Sequence, residues 1–165
     1  MRATAPFERA AGEATIMSLG FVRAARQLGS AGATNHVQPS CLIVEDQALI
    51  GLSLEAYLEE VGFGACTSVS SASEAIEWLS ARTPSVVILD YALEDGPCTP
   101  LAQRLHRAGI PFLIYSGHQR TSAPVELQSV PWLNKPCDRP TILAALIRTV
   151  PQLAGRHEEV AATRN

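Results

Sequence analysis

The sequence predicts an α/β fold: five short parallel strands in one sheet, with helices covering both faces. Two observations carry this. Short apolar runs recur, "CLIV" at 41–44, "VVIL" at 86–89 and "FLIY" at 112–115, and each is apolar at every position. Between them lie stretches whose apolar residues repeat at the spacing of one helical face. A strand that is apolar throughout is buried on both sides, as in a parallel sheet between two helix layers.

The elements follow in order. After the first strand, Ile50, Leu54, Tyr57, Leu58 and Val61 mark one face of a helix, and Gly62 is its stop. "ACTSV" at 65–69 reads as a second, weaker strand on the sheet edge. Ser71 with Glu74 forms a capping box for a helix that buries Ala75, Ile76 and Leu79. "VVIL" is the third strand. Thr99 is the expected cap of the next helix, with Pro100 at its first position, Leu101, Leu105 and Ala108 inward, and Gly109 at its end. "FLIY" is the fourth strand and "WLN" at 132–134 a short fifth. Asp138 caps a last helix with a stripe of Ile142, Leu143, Leu146, Ile147 and Val150, closed by Pro151. Residues 118–131 hold two prolines and little helical period, so a helix there is short or absent.

The 165 residues allow one domain with extensions. Residues 40–151 read as that domain, 1–39 as a disordered N-terminal extension and 152–165 as a flexible tail. Ile16, Leu19, Val22 and Ala25 would line one or two helical turns within the extension. Net charge is −3, unevenly spread: residues 38–153 carry seven cations against twelve acids. An acidic domain argues against direct DNA binding. Cysteines 41, 66, 98 and 137 show no C-x-x-C pair and read as reduced thiols, which fits a cytoplasmic protein. No apolar run approaches membrane-spanning length, and the start lacks a signal-peptide layout.

In such sheets the ligand site lies beyond the carboxyl ends of the strands. Glu45 and Asp46 follow the first strand, Asp90 the third, Ser116 and Gly117 the fourth, and Lys135 and Pro136 the fifth. Singly, each has a plain reading as a cap, a turn former or a surface charge. Together they set three carboxylates, a hydroxyl and an ammonium around one crevice. Clustered carboxylates call for a hard cation, and Mg²⁺ suits them because it takes one or two carboxylates plus phosphate oxygens. A carboxylate beside Mg²⁺ is also able to attack a phosphoryl group, and neutralising the phosphoryl oxygens is most of the catalysis. Lys135 is the only lysine among thirteen cationic residues. A compact ammonium on a long stem reaches a phosphoryl oxygen where a bidentate guanidinium would not.

These residues, in this order, resemble the receiver domain of a two-component response regulator. The match runs over about residues 40–151: "VED" with Glu45 and Asp46, "VVILDY" with Asp90, "IYSG" with Ser116, and "NKP" with Lys135. The resemblance implies a flavodoxin-like sheet of order 2-1-3-4-5. It implies that Asp90 accepts phosphate from a histidine kinase or phosphotransfer protein, with Ser116 and Lys135 assisting. It assigns Mg²⁺ to Asp46, Asp90 and the Ala92 carbonyl, with Glu45 acting largely through water. Gly117 would leave the phosphoryl group accessible. Trp132 stands where the family has its switch aromatic, three residues before the lysine. The implied function is that of a single-domain response regulator with an unnamed downstream protein partner, a phosphoacceptor and not an enzyme with a separate substrate.

Four departures stand out. The switch aromatic is usually Tyr or Phe. "YALEDGPC" after Asp90 is short and has Glu94 where many receivers have Pro. "PFLIYSGH" matches only partly the PFxFATGY signature of receivers served by HWE-type histidine kinases. The fourth helix of the family is weak. The rivals fare worse. A haloacid-dehalogenase-type phosphatase wants D-x-D after the first strand, and a flavin carrier wants a Ser/Thr/Gly-rich loop there, where this chain has "EDQ". Fourteen residues after Pro151 are too few for a DNA-binding output domain. A receiver-like interaction module that does not phosphorylate is the remaining alternative.

Overall fold

The computed structural model describes residues 38–150. The expected tail, and all but the last two residues of the expected extension, lie outside them. Pro39 already belongs to the folded part, since its carbonyl accepts from the Gly64 N–H at 2.9 Å. The chain runs β1 (Cys41–Val44), α1 (Ala48–Glu60), β2 (Cys66–Val69), α2 (Ala72–Ala81), β3 (Val86–Leu89), α3 (Thr99–Arg107), β4 (Phe112–Ser116), β5 (Trp132–Asn134) and α4 (Arg139–Thr149).

The strands pair in parallel in the order β2-β1-β3-β4-β5, the order that the receiver resemblance implies. The chain leaves β1 for β2 on one side and returns to β3 on the other. The switch point therefore lies between β1 and β3, whose ends carry Glu45, Asp46 and Asp90. Alternate strand residues face opposite layers. Ile43, Ile88 and Leu113 pack with Leu54 and Leu58 of α1 and Leu143 and Leu146 of α4. Leu42, Val87, Leu89 and Ile114 pack with Ala75 of α2 and Leu101 and Leu105 of α3. Each of the fully buried leucines and isoleucines contributes about 1.5–3 kcal/mol. Gly51 lets α1 lie close on β2: a Cβ there would stand 2.3 Å from the Ser68 Oγ.

Local signals set most boundaries. Gly62 has φ of +101° just past α1, and Gly109 has φ of +67° just past α3. Ser71 accepts from the Glu74 N–H at 3.1 Å and Asp138 from the Thr141 N–H at 2.9 Å, so both expected caps form. The Glu74 carboxylate reaches back one residue further than a capping box requires, to the Ser70 N–H and hydroxyl.

Three local expectations are corrected. Thr99 is the first residue of α3 and Cys98 stands at its N-cap, because the Cys98 carbonyl already accepts from the Ala102 N–H. Ala108 is exposed and Ala102 is buried in its place: α3 ends at Arg107, one residue before Ala108 could turn inward. β2 begins at Cys66, the residue that pairs with Cys41 at the start of β1; Ala65 contributes only the carbonyl that accepts from the Cys41 N–H. The stretch between β4 and β5 holds only two short 3₁₀ turns, Arg120–Ser122 and Val125–Leu127, as its prolines and missing period foretold. Among the described residues, no helix is long and apolar enough to cross a membrane. All four cysteines are free thiols.

Candidate functional site

Glu45, Asp46, Asp90, Ser116 and Lys135 gather at the carboxyl edge of the sheet, and the parallel register is the reason; Trp132, the switch candidate, opens β5 instead. β1 and β3 pair Val44 with Leu89, so the residues that follow them, Glu45 and Asp90, emerge side by side. β4 and β5 pair Ser116 with Asn134, which brings Lys135 to the same edge. The Lys135 N–H donates to the Ser116 carbonyl at 2.8 Å, and the Lys135–Pro136 peptide bond is cis.

One carboxylate oxygen from each of Glu45, Asp46 and Asp90 lies within 4.8 Å of the others. Glu45 and Asp90 are buried and Asp46 is half-buried at the mouth. The Lys135 Nζ donates to Glu45 Oε2 at 2.5 Å and to Asp90 Oδ2 at 2.6 Å, bridging the two buried acids. Backbone amides hold the other oxygens. The Gln47 N–H donates to Glu45 Oε1 at 3.2 Å, and the Ala92 N–H donates to Asp90 Oδ1 at 3.3 Å. Burial pushes the Glu45 carboxyl above its ordinary range; Lys135 offsets only part, and the Asp90 charge adds to the rise. Burial also opposes the Lys135 charge, but hydrogen bonds and attraction from Asp90 and Glu45 outweigh it and hold the ammonium above its ordinary value.

The corner has more negative than positive charge: three carboxylates face one ammonium. Its all-oxygen donor set is the kind that a hard divalent cation takes, and Mg²⁺ fits it. The position of Asp46 at the mouth leaves that carboxylate free of the Lys135 bridge. Ser116 is fully buried at the end of β4, and its Oγ accepts from the His118 N–H at 3.2 Å, which leaves its own proton free for another acceptor. Beside it, the place a Gly117 Cβ would take has no atom within 4 Å, so this side of the crevice is open.

Trp132 stands apart from the charged corner. Its indole N–H donates to the His118 carbonyl and to Asn134 Oδ1, both at 3.2 Å. The Cys98 thiol is no part of the chemistry: burial, with the Asp90 charge adding, pushes it up to about 12.

The sequence left two features unread. Tyr91 packs its ring against both His118 and Trp132. Asp95, on the loop after Asp90, accepts from the Ala72 N–H and the Ser73 N–H and hydroxyl at 3.0–3.1 Å, capping α2 from outside. An aromatic residue directly after Asp90 was a weak sign of the first. Nothing in the local sequence signals the second, because donor and acceptor stand 22 and 23 residues apart.

A family model described as the response regulator receiver domain matches residues 41–147. Solved structures agree. A sensor protein from Polaromonas sp. JS666 is 27% identical with a TM-score of 0.62, covering 70% of this chain and 98% of that one. The non-phosphorylated HemR receiver domain from Leptospira biflexa is 27% identical with a TM-score of 0.59, covering 68% and 94%. SdrG from Sphingomonas melonis Fr1 is 27% identical with a TM-score of 0.57, covering 72% and 98%. No curated protein matches the sequence significantly.

Proposed function

The chain belongs to the response regulator receiver family of two-component signalling, and on that premise we propose that Asp90 accepts a phosphoryl group from a phosphohistidine. The observation that carries this is the Lys135 ammonium held between Asp90 and Glu45 beside a third carboxylate. A purely structural ion pair has no use for the surplus acid.

In this reading an Asp90 oxygen attacks phosphorus. The P–N bond of the donor breaks, its electron pair goes to the imidazole, and an acyl phosphate forms. Lys135 gives up Asp90 Oδ2 and follows the charge to a phosphoryl oxygen, which its flexible stem allows. The Ser116 hydroxyl donates its free proton to a second. Asp46 and Asp90, with the Ala92 carbonyl, would hold Mg²⁺, and Glu45 would act on it largely through water. Bound there, the ion supplies charge neutralisation at a third oxygen. The open side at Gly117 admits the donor. Partners are a histidine kinase or a phosphotransfer protein and a downstream protein. The chain assists its own phosphorylation and dephosphorylation and turns over no separate substrate. Four free thiols, three of them buried, support a cytoplasmic setting.

Incubation with a small phosphodonor and Mg²⁺ tests this. One base-labile phosphoryl group should appear by intact mass, and Asp90→Asn should abolish it with the fold preserved. Labelling that persists in that variant overturns the assignment. No labelling of the parent chain would instead leave an interaction module.

A further inference from the structure

Three aromatic side chains, those of Tyr91, His118 and Trp132, are interlocked. The Tyr91 ring lies edge-on to His118, with centroids 5.7 Å apart, and tilted by 48° against Trp132 at 5.5 Å. Its backbone is a fixed base. The Asp90 N–H donates to the Val44 carbonyl at 2.9 Å, and the Tyr91 carbonyl accepts from the Cys98 N–H at 3.1 Å. From that base the ring touches the loop after β4 through His118 and strand β5 through Trp132. The loop and the strand are also joined directly, by the bond from the Trp132 indole to the His118 carbonyl. His118 in turn gives its N–H to the Ser116 hydroxyl oxygen.

Ser116 is thus not free to move alone. Any shift of its hydroxyl toward a group on Asp90 draws on His118, whose ring and carbonyl are both engaged by other aromatics. These contacts belong to the protein with an unmodified Asp90. Interactions made in one state and weakened in the other bias the equilibrium between them.

We propose that Tyr91 is a positioning residue for phosphoryl acceptance: through His118 and Trp132 its ring holds the Ser116–His118 loop in the resting arrangement and opposes the shift of Ser116 toward the phosphoryl group. This rests on the reading of Asp90 as phosphoacceptor. It makes Trp132 the outer jaw of a clasp whose inner jaw is the residue next to Asp90. Aromatic contacts of this kind shift an equilibrium by about two- to tenfold beyond their buried area.

The test is calorimetric titration of the full chain with beryllofluoride at saturating Mg²⁺, and with Mg²⁺ alone, for the parent, Tyr91→Phe and Tyr91→Leu. Circular dichroism checks folding, and Tyr91→Met replaces the leucine variant if that one does not fold. Tyr91→Phe keeps the ring and should match the parent. Tyr91→Leu should bind beryllofluoride about two- to tenfold tighter with unchanged Mg²⁺ affinity. Equal or weaker beryllofluoride binding by Tyr91→Leu, an equal gain in Tyr91→Phe, or a parallel change in Mg²⁺ affinity overturns the role of Tyr91 alone. A parent chain that binds Mg²⁺ but no beryllofluoride overturns the phosphoacceptor reading, and this inference with it.

Discussion

Asp90 and Asp95 lie five residues apart, at the two ends of one loop, and are held in opposite ways. Asp90 is buried; one oxygen meets the Lys135 ammonium and the other a single backbone amide. Asp95 is exposed, and its oxygens take two backbone amides and a hydroxyl at the start of α2. Ala92–Leu93, which lies between them, pairs with Gly96–Pro97, just past Asp95, in a small antiparallel ladder. Under the proposed function the same side chain is a reactive group at one end and an anchor at the other. The partners decide which. Amides fixed at a helix end cannot leave, so Asp95 stays committed to its cap. An ammonium on a flexible stem is able to exchange one oxygen partner for another, so Asp90 is held without being used up.

Removing the mobile partner should have the largest effect. Lys135→Met leaves Glu45 and Asp90 facing each other without compensation. Phosphorylation by a small donor should slow by about a hundredfold, the scale of a lost charge-stabilising donor. Urea denaturation without Mg²⁺ should show a loss of about 2–3 kcal/mol, somewhat below that of a fully buried broken pair because the mouth is open. An unchanged rate would put Lys135 among the anchors and dissolve the contrast.

Asp46→Asn comes next. It should weaken Mg²⁺ binding by at least about 10–100-fold, since losing even the outer partners of a metal ligand costs that much. The metal-free protein should become more stable, because one of three mutually repelling carboxylates is gone. Calorimetric titration and denaturation read the two effects separately. Unchanged Mg²⁺ affinity would contradict the ligand set.

Asp95→Ala sharpens the comparison from the other end. It should lower stability by about 1 kcal/mol, the usual cost of a lost cap, with the rate of Asp90 phosphorylation unchanged. A slower rate would mean that the cap also positions Asp90 through the ladder, and the two ends would not be independent.

The smallest expected effect is in pH. The Ser73 N–H, with the Ala72 N–H and the Ser73 hydroxyl, holds the Asp95 carboxyl below its ordinary 3.8. A carboxyl lowered on folding stabilises above its unfolded value and loses that contribution as pH falls through the folded one. The stability gap between the parent and Asp95→Ala should therefore be constant near neutrality and shrink below pH 3.8. Thermal melts at several pH values check this. Asp138, lowered by its bonds to Thr141, should follow the same course against Asp138→Ala.

Much of the molecule was legible from residue order. Each apolar run became a strand, and the order of polar residues after the runs became the order of groups around the crevice. That works because a parallel sheet aligns all its strand ends at one edge, so position after a strand translates directly into position in space. The caps at Ser71 and Asp138 were legible for a similar reason: donor and acceptor are three residues apart.

Sequence by itself thus determined the sheet, its helices and which acids, hydroxyl and amine share an edge, since all of these follow from short-range periodicity and the geometry of one fold. Only the tertiary structure decided how those groups pair. That Lys135 bridges Glu45 and Asp90 and leaves Asp46 outside depends on side-chain reach across 45 and 90 residues of chain. The cap of Asp95 on α2 and the ring contacts of Tyr91 depend on where a loop comes to rest against its neighbours. Local pattern encodes which residues leave water together. Which of them meet is fixed by packing, where a contact between distant residues carries no local periodicity for a sequence to show.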